Sequence, residues 1–330
     1  MNLAWPMVWQ SSLLIAVVCA LDILLARKVR AAVRYALWLV VLVKLLLPPT
    51  LALPSGVMWW LARAQPAVPA PVARHFTVTY DQLPLLMEPN APAPVPVVPP
   101  PALQLKGAGW ALILSTIVGA GLMLWVAFRW WQVGGIVRRA SNAEGCSVAL
   151  AEAMQLAGGK RKSRVRVKVT NDRMSPAVCG LVQPVILLPR ALVQQLSAEQ
   201  LRAVLLHELF HLRRGDVWLN CVQALLQIIY WWHPLLWMAN ARIRRLREDA
   251  VDDAVMLALN DSADCYAPTL LEVAKLVLRR PLLSLGLVGI MESRSALRQR
   301  IERLLDFHAP RRAGLTFVSL CGICVFSAAA

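Results

Sequence analysis

The stretch "LSAEQLRAVLLHELFHLRRGD", residues 196–216, contains the signals that begin and end one amphipathic helix. Ser197 and Gln200 form a capping box, the pair of polar side chains that starts a helix, and Gly215 is a residue type that commonly ends one. An apolar stripe recurs at helical spacing: Leu201, Val204, Leu205, Leu209 and Leu212. The sequence therefore predicts a helix that runs from Ser197 to Arg214 and buries one face.

This helix contains the motif H-E-x-x-H at residues 207–211. His207 and His211 are one turn apart on the same face, so both imidazoles can bind one ion. Glu208 is rotated by about 100° from His207, so it can reach a metal-bound water without ligating the metal. The alternative is two solvated or core histidines. Because the chain has only five histidines, a chance match is rare, and we favour a metal site.

A catalytic zinc site needs a third protein ligand and an open position for water. The stretch "RIRRLREDAVDDAV", residues 242–255, places Glu248 and Asp252 four residues apart on one helix face. The alternative is a solvated charge ladder in which Arg244 pairs with Glu248, and spacing alone does not choose between the two. Membrane topology favours the metal ligand, because it keeps Glu248 on the same side as the two histidines.

The composition indicates a membrane protein. Of the 330 residues, 58% are hydrophobic and only 16% are charged, which excludes a single water-soluble domain. The net charge is +16, and the basic residues lie beside apolar segments. We therefore expect membrane lipids as partners, and no direct contact with nucleic acid. The seven cysteines are scattered and form no disulfide framework.

Apolar segments and their basic flanks predict four transmembrane helices. The positive-inside rule places the turn of the first hairpin and the large basic segment in the cytoplasm. The predicted order is a transmembrane hairpin (1–53, with spans at 3–26 and 35–53), a Pro/Ala-rich outer loop (54–107), a third span (107–128), a cytoplasmic domain (129–312) and a fourth span (314–330).

Residues 217–232 are apolar, but we do not predict a fifth span there. They provide only 16 residues before His233, and Asn220, Gln223 and Gln227 form a polar stripe that lipid would not tolerate. We predict a helix within the domain or at the membrane surface.

Short strands make the cytoplasmic domain α+β, within a mainly α membrane protein. "SRVRVKVT", residues 163–170, alternates as a strand, and "QPVILLP", residues 183–189, predicts a second one. The stretch at 179–189 could be an edge strand on which an extended substrate peptide pairs, or an ordinary buried strand. Both interpretations stay open from sequence alone.

Four stretches resemble the BlaR/MecR-type antirepressor membrane metallopeptidases, the sensor-transducers of β-lactam resistance and their relatives. They are "SPAVCGLVQPVILLP" at 175–189, "LPRALVQQLSAEQLRAVLLHELFHLRRGD" at 188–216, "HPLLW" at 233–237 and "REDAVDDAV" at 247–255. The four-span plan is similar too. The resemblance implies a gluzincin-like zinc protease domain that faces the cytoplasm of a bacterial inner membrane. It assigns Zn²⁺ to His207, His211 and Glu248, the general base to Glu208, and an outer-shell role orienting a histidine to Asp252.

Two further residues have alternative interpretations. Asp216 could hydrogen-bond a ligand histidine or simply terminate the helix, and termination is favoured. His233 could stabilise an oxyanion or form the bend before Pro234, and the bend is favoured.

The resemblance also implies that the protein cuts itself, a cytosolic repressor, or both, after an external signal such as a β-lactam. We expect self-cleavage within 279–294, and a second copy of the chain as a partner. Sensor members carry a penicillin-binding domain with an S-x-x-K motif after the fourth span; no S-x-x-K occurs here, and we expect the protein to continue beyond Ala330. The alternatives are a non-enzymatic membrane transducer and a housekeeping membrane zinc protease.

Overall fold

A computed structural model describes residues 4–26, 28–46, 107–158, 165–172, 174–259, 263–278 and 294–305. The helices are α1 (Ala4–Leu25), α2 (Ala31–Leu46), α3 (Gly107–Arg139), α4 (Ser147–Leu156, after a 3-10 turn at Glu144–Cys146), α5 (Arg190–Gln195), α6 (Ala198–Arg214), α7 (Asp216–Ile229), α8 (Pro234–Ala258), α9 (Ala263–Leu278) and α10 (Arg294–Leu305). The strands are β1 (Ser141–Asn142), β2 (Arg166–Thr170), β3 (Ala177–Cys179) and β4 (Val185–Pro189).

The four described strands form one mixed sheet in the order β1-β2-β4-β3. Strand β4 pairs in parallel with β2 and antiparallel with β3, and all five of its residues are buried. This burial on both faces explains the uninterrupted apolar run "VILLP". The predicted strands at 163–170 and 183–189 are confirmed as β2 and β4.

The stretch 179–189, for which an edge strand and an ordinary buried strand were both open, divides into the end of β3, a turn and β4. Only β3 lies at the sheet edge, while β4 is an interior strand. The division occurs at Gly180, which has φ +91°, and a Cβ there would lie 2.6 Å from the carbonyl oxygen of Gln183. Glycine is therefore required for the chain to reverse between the strands.

Helix α6 lies at the centre of the domain core and has the predicted bounds. The Ser197 hydroxyl accepts from the Gln200 backbone N–H, and the Gln200 side chain accepts from the Ser197 N–H, at 3.2 and 3.0 Å. Gly215 ends the helix with φ +71°. Its buried leucines pack in one cluster with β2, β4, α4 and α8–α10. Local signals thus determine this helix from end to end.

The hairpin of α1 and α2 packs against α8. Trp38 and Val41 of α2 and Ile243 of α8 belong to one buried cluster. Asp22 of α1 accepts hydrogen bonds from Arg34 and from Arg242 of α8, both at 2.6 Å. The hairpin therefore contacts the helix that contains Glu248.

Among the described helices, two are long and apolar enough to cross a membrane, within Val8–Leu25 and Gly109–Arg139. Helix α2 begins at Ala31, four residues before the predicted span, and residues 47–53, 54–106 and 314–330 lie outside the described part. The four-span prediction is therefore supported only for its first and third helices.

The predicted third span, residues 107–128, lies within a longer helix. Helix α3 continues for eleven residues to Arg139, because Arg129 marks a change of polarity and does not break a helix. Helix α7, by contrast, confirms the prediction for 217–232: it has only 14 residues, and Gln223 and Gln227 are buried within the domain.

Candidate metal centre

Three of the predicted ligands converge between α6 and α8. The Nε2 atoms of His207 and His211 are 3.1 Å apart, and Oε2 of Glu248 lies 3.5 Å from each. Donor atoms that bind one zinc ion at 2.0–2.1 Å with tetrahedral angles lie about 3.3 Å from one another. The spacing and the two-imidazole, one-carboxylate donor set therefore fit a metal ion.

His211 is held from the α7 side. Its Nδ1–H donates to Oδ2 of the buried Asp216 at 2.7 Å, which leaves Nε2 free to bind a metal. The hydroxyl of Tyr35, on α2, donates to the other oxygen of Asp216 at 3.4 Å. The guanidinium of Arg214 lies 4.6 Å from the centre of the Tyr35 ring. We call Asp216 and Tyr35 the hairpin contact.

His207 is held from the domain core. Its Nδ1–H donates to the Tyr266 hydroxyl at 2.8 Å, and this hydroxyl donates to Oδ1 of Asp252 at 2.6 Å. Asp252 is fully buried, and the Arg300 guanidinium donates to both of its oxygens. We call Tyr266, Asp252 and Arg300 the core network. It assigns the proton of His207 to Nδ1, so that Nε2 faces the candidate site.

The charges in the centre keep Glu248 ionised. Burial by itself would raise the pKa of this carboxyl group, but the imidazoles of His211 and His207 and the Arg300 guanidinium hold that pKa well below its usual value. In the metal-free protein, burial would lower the pKa of His211, yet the carboxylates of Glu248 and Asp216 raise it to about 10. The carboxylates therefore create a negative potential at His211, which favours a cation there.

Glu208 lies on α6 between the two histidines and is only 7% exposed. Burial raises the pKa of its carboxyl group. Helix α6 packs against edge strand β3, and the charge of Glu208 adds to burial in raising the pKa of the Cys179 thiol on that strand to about 11. Glu208 therefore lies on the helix that contains the two histidines and packs against the edge strand.

The remaining sequence predictions have different outcomes. Asp216, for which helix termination was favoured, both begins α7 and contacts His211. Arg244 does not pair with Glu248; Arg247 is nearer, with Nε 3.5 Å from Oε1. His233 lies fifteen residues before Glu248, about 22 Å along α8, and its Nε2 is 3.0 Å from the Ser11 hydroxyl. The oxyanion interpretation of His233 is therefore wrong, and its position before Pro234 at the start of α8 fits the bend.

Three residues that support the site were not predicted: Tyr35, Tyr266 and Arg300. They come from α2, α9 and α10, far from the H-E-x-x-H motif in the chain. A tyrosine in an apolar helix or an arginine in a basic one has no distinctive sequence context, so no local signal could identify them.

Comparisons with known proteins agree with this geometry. A sequence profile of the family described as BlaR1 peptidase M56 matches residues 3–304. The chain is 35% identical over 105 residues to the regulatory protein BlaR1 of Bacillus licheniformis. It is 26% identical over 99 residues to the methicillin resistance mecR1 proteins of Staphylococcus aureus and Staphylococcus epidermidis.

These pairwise similarities are limited in extent. The aligned stretches cover 31% and 30% of this chain, and 17% of the length of each of these relatives. The family match is much broader, because it includes both helices of the first hairpin, α3, the sheet and every residue of the candidate metal centre. The chain therefore belongs to the BlaR1 peptidase M56 family.

Proposed function

We propose that this protein is a zinc-dependent endopeptidase. The observation that carries the proposal is the convergence of His207, His211 and Glu248, whose three donor atoms have the spacing of a tetrahedral site. Catalytic zinc sites in proteases combine three such ligands with one open position. When bound, zinc supplies Lewis acidity that makes a water nucleophilic at neutral pH and polarises the scissile carbonyl.

Glu208 acts as the general base in this proposal. It accepts a proton from the attacking water and then donates it to the nitrogen of the leaving amine, so that the peptide bond breaks without forming a free amide anion. Burial raises the pKa of Glu208, which suits a group that must first take up and then release a proton.

Edge strand β3 orients the substrate. Its neighbour β4 pairs with only one side of β3, so among the described residues the other side is available for an added strand. A peptide that pairs there in extended form would lie beside the helix that contains Glu208. This arrangement favours segments that are unfolded or can be pulled into extended form.

The test measures zinc content and peptide hydrolysis of the detergent-purified full chain together. Glu208→Gln should retain about one zinc per chain and lose hydrolysis, by 10²-fold or more, because general-base catalysis typically contributes about 10²–10⁴-fold. Glu248→Ala should lose both the zinc and the activity. Glu199→Gln, an exposed residue in the first turn of the same helix, serves as the control. Activity that persists in Glu208→Gln would contradict the proposal.

We also propose that this activity serves an antirepressor system in a bacterial inner membrane, with the protease domain on the cytoplasmic side. The relatives named as regulatory protein BlaR1 and methicillin resistance mecR1 protein support this role, as do two helices that are apolar enough to cross a membrane. The substrate would be the chain itself or a cytosolic repressor, after a signal such as a β-lactam.

N-terminal sequencing of fragments from the purified protein tests self-cleavage. We expect a new end within 279–294, a segment of which only Arg294 belongs to the described residues, and its absence from Glu208→Gln. A fragment that also forms in Glu208→Gln would assign the cut to another protease. A wild-type protein that holds no zinc and forms no fragment would instead support a non-enzymatic transducer.

A further inference from the structure

A cavity of about 680 Å³ adjoins the candidate metal centre. One wall is edge strand β3 with the turn after it, the second is the polar face of α7, the third is α8, and α3 closes the fourth side. Two of its lining residues connect it to the centre. Cys179 belongs to β3, which packs against the helix of Glu208, and Arg247 has its Nε 3.5 Å from Oε1 of Glu248.

The cavity is lined by positive charge. Arg129, Arg138, Arg244 and Arg247 line it, and no aspartate or glutamate does so among the described residues. Arg247 is already engaged, because it donates to Asn220 and lies beside Glu248. Arg244 is different: it is half-buried, and within the described part of the chain no carboxylate lies within ion-pair distance of it. Burial, with the charge of Arg247, lowers the pKa of this guanidinium.

A second, independent observation concerns the polar stripe of α7. Asn220, Gln223 and Gln227 all face the cavity, and Gln223 donates to Asn240 at 3.1 Å. Gln227 is only 2% exposed, and its amide nitrogen has no hydrogen-bond partner among the described residues. A buried donor without a partner is unfavourable unless a ligand satisfies it. The cavity thus offers an unpaired cation and an unpaired donor beside the site of hydrolysis.

We infer that this cavity binds an acidic side chain of the substrate, and so selects peptides with aspartate or glutamate near the cleaved bond. The inference rests on the proposed protease function and adds the chemical class of its substrate. A peptide paired with β3 projects alternate side chains toward one face of the sheet, and the cavity begins at β3 itself. The Arg244 guanidinium then pairs with the carboxylate, and the Gln227 amide donates a hydrogen bond to it.

The test is the cleavage specificity of the zinc-loaded, detergent-purified full chain on a chymotryptic peptide mixture, which retains both acidic and basic residues. Mass spectrometry should find acidic residues enriched at one position within about three residues of the cut, since an extended chain advances about 3.3 Å per residue. For a synthetic pair that differs only by glutamate or glutamine there, kcat/KM should differ by about tenfold to a hundredfold.

A charge reversal provides the decisive variant. Arg244→Glu should lose the preference for acidic residues and acquire one for lysine at the same position. Arg245→Glu is the matched control, because Arg245 is the next residue of α8, is exposed and does not line the cavity. It should leave the specificity unchanged, although it changes the net charge equally.

Several outcomes overturn the inference while leaving the protease intact. Wild-type cleavage without acidic enrichment would do so, and so would an acidic preference that survives in Arg244→Glu. If phosphatidylglycerol vesicles raise the activity of the wild type but not that of Arg244→Glu, while the two proteins have the same specificity, the cavity binds a lipid headgroup instead. Cleavage of the same peptides by Glu208→Gln would instead refute the proposed protease function.

A binding measurement decides the matter if no peptide is cut. The probes are acetyl-Ala-Leu-Glu-Leu-Ala-amide and its glutamine counterpart, both blocked at the ends so that the glutamate side chain is the only carboxylate. Isothermal titration should show that the wild type binds the glutamate peptide more tightly than the glutamine peptide. Arg244→Glu should instead bind the lysine counterpart more tightly than the glutamate peptide. Equal binding of the two probes would overturn the inference.

Discussion

The two histidines of the candidate metal centre lie one turn apart on α6, yet their second nitrogens contact different parts of the protein. His207 donates to the core network of Tyr266, Asp252 and Arg300, in which Asp252 is fully buried and Arg300 nearly so. His211 donates to the hairpin contact, Asp216 and Tyr35, which joins it to α2. One candidate ligand is thus oriented by the domain core and the other by the hairpin of α1 and α2.

This difference in hydrogen bonding shows which of the two contacts is the weaker. The core network contains a buried ion pair with several hydrogen bonds, so removing one partner leaves an uncompensated charge. The hairpin contact ends in a single 3.4 Å hydrogen bond from a tyrosine, which contributes much less. We therefore expect the core network to control folding and the hairpin contact to modulate metal binding. The following predictions test this division.

Breaking the core network should have the largest effect. Asp252→Asn leaves the Arg300 charge buried without its carboxylate, and should lower the free energy of unfolding by about 3–5 kcal/mol. Thermal unfolding of the metal-free protein in detergent measures this loss in the free energy of unfolding. Asp249→Asn is the control, since Asp249 is more exposed and pairs with Arg303 at 2.7 Å. Equal losses in the two variants would contradict a special role for the core network.

Breaking the hairpin contact at Asp216 should act on the metal. Asp216→Asn removes the carboxylate that accepts from His211, and loss of such an outer partner typically weakens metal binding by about 10–100-fold. Competition with a zinc chelator measures this affinity. The unfolding free energy of the metal-free protein should change less than in Asp252→Asn. A variant with unchanged zinc affinity would show that Asp216 only begins α7.

The pH dependence of zinc binding tests the contact between Asp216 and His211. In the metal-free protein the pKa of His211 is raised to about 10, so its proton stabilises the metal-free fold below the unfolded pKa of about 6.5, and this contribution is lost as the pH rises through 10. Zinc must displace that proton. Zinc affinity should therefore rise by up to about tenfold per pH unit between about 6.5 and 10.

Chelator competition at several pH values, corrected for proton binding by the chelator, measures that slope. Because Asp216 helps to raise the pKa of His211, Asp216→Asn should reach its maximal zinc affinity at a lower pH. A pH profile that is identical in the wild type and this variant would refute the assignment.

Removing the hydroxyl of Tyr35 should have the smallest effect. Tyr35→Phe loses one long hydrogen bond to Asp216, so zinc affinity should fall by a few-fold and by less than about tenfold. Tyr230→Phe is the matched control, because its hydroxyl also donates to α2, to the Leu45 carbonyl at 3.3 Å, without touching the metal centre. Equal effects of the two variants would mean that the hairpin does not act through Asp216.

Some of the site was predictable because it is encoded locally. The capping box at Ser197, the apolar stripe and Gly215 determine α6, and a four-residue spacing then places His207 and His211 on one face. Spacing alone did not identify Glu248 as a metal ligand, because a four-residue spacing also fits a surface ion pair between Arg244 and Glu248. The continuation of α3 beyond the predicted span was not predicted, because an arginine after an apolar run shows where polarity changes and not where the helix ends.

The sequence by itself thus determined the metal-binding helix, its two histidines and the two strands of the core. Only the tertiary structure decided that Glu248 faces those histidines, that Tyr266 and Arg300 support one of them and Tyr35 the other, and that the polar stripe of α7 faces a cationic cavity. The physical reason is the separation along the chain of the residues that interact. Caps and periodicity act within one helix, whereas these contacts join residues up to 181 positions apart, whose encounter depends on how whole helices pack.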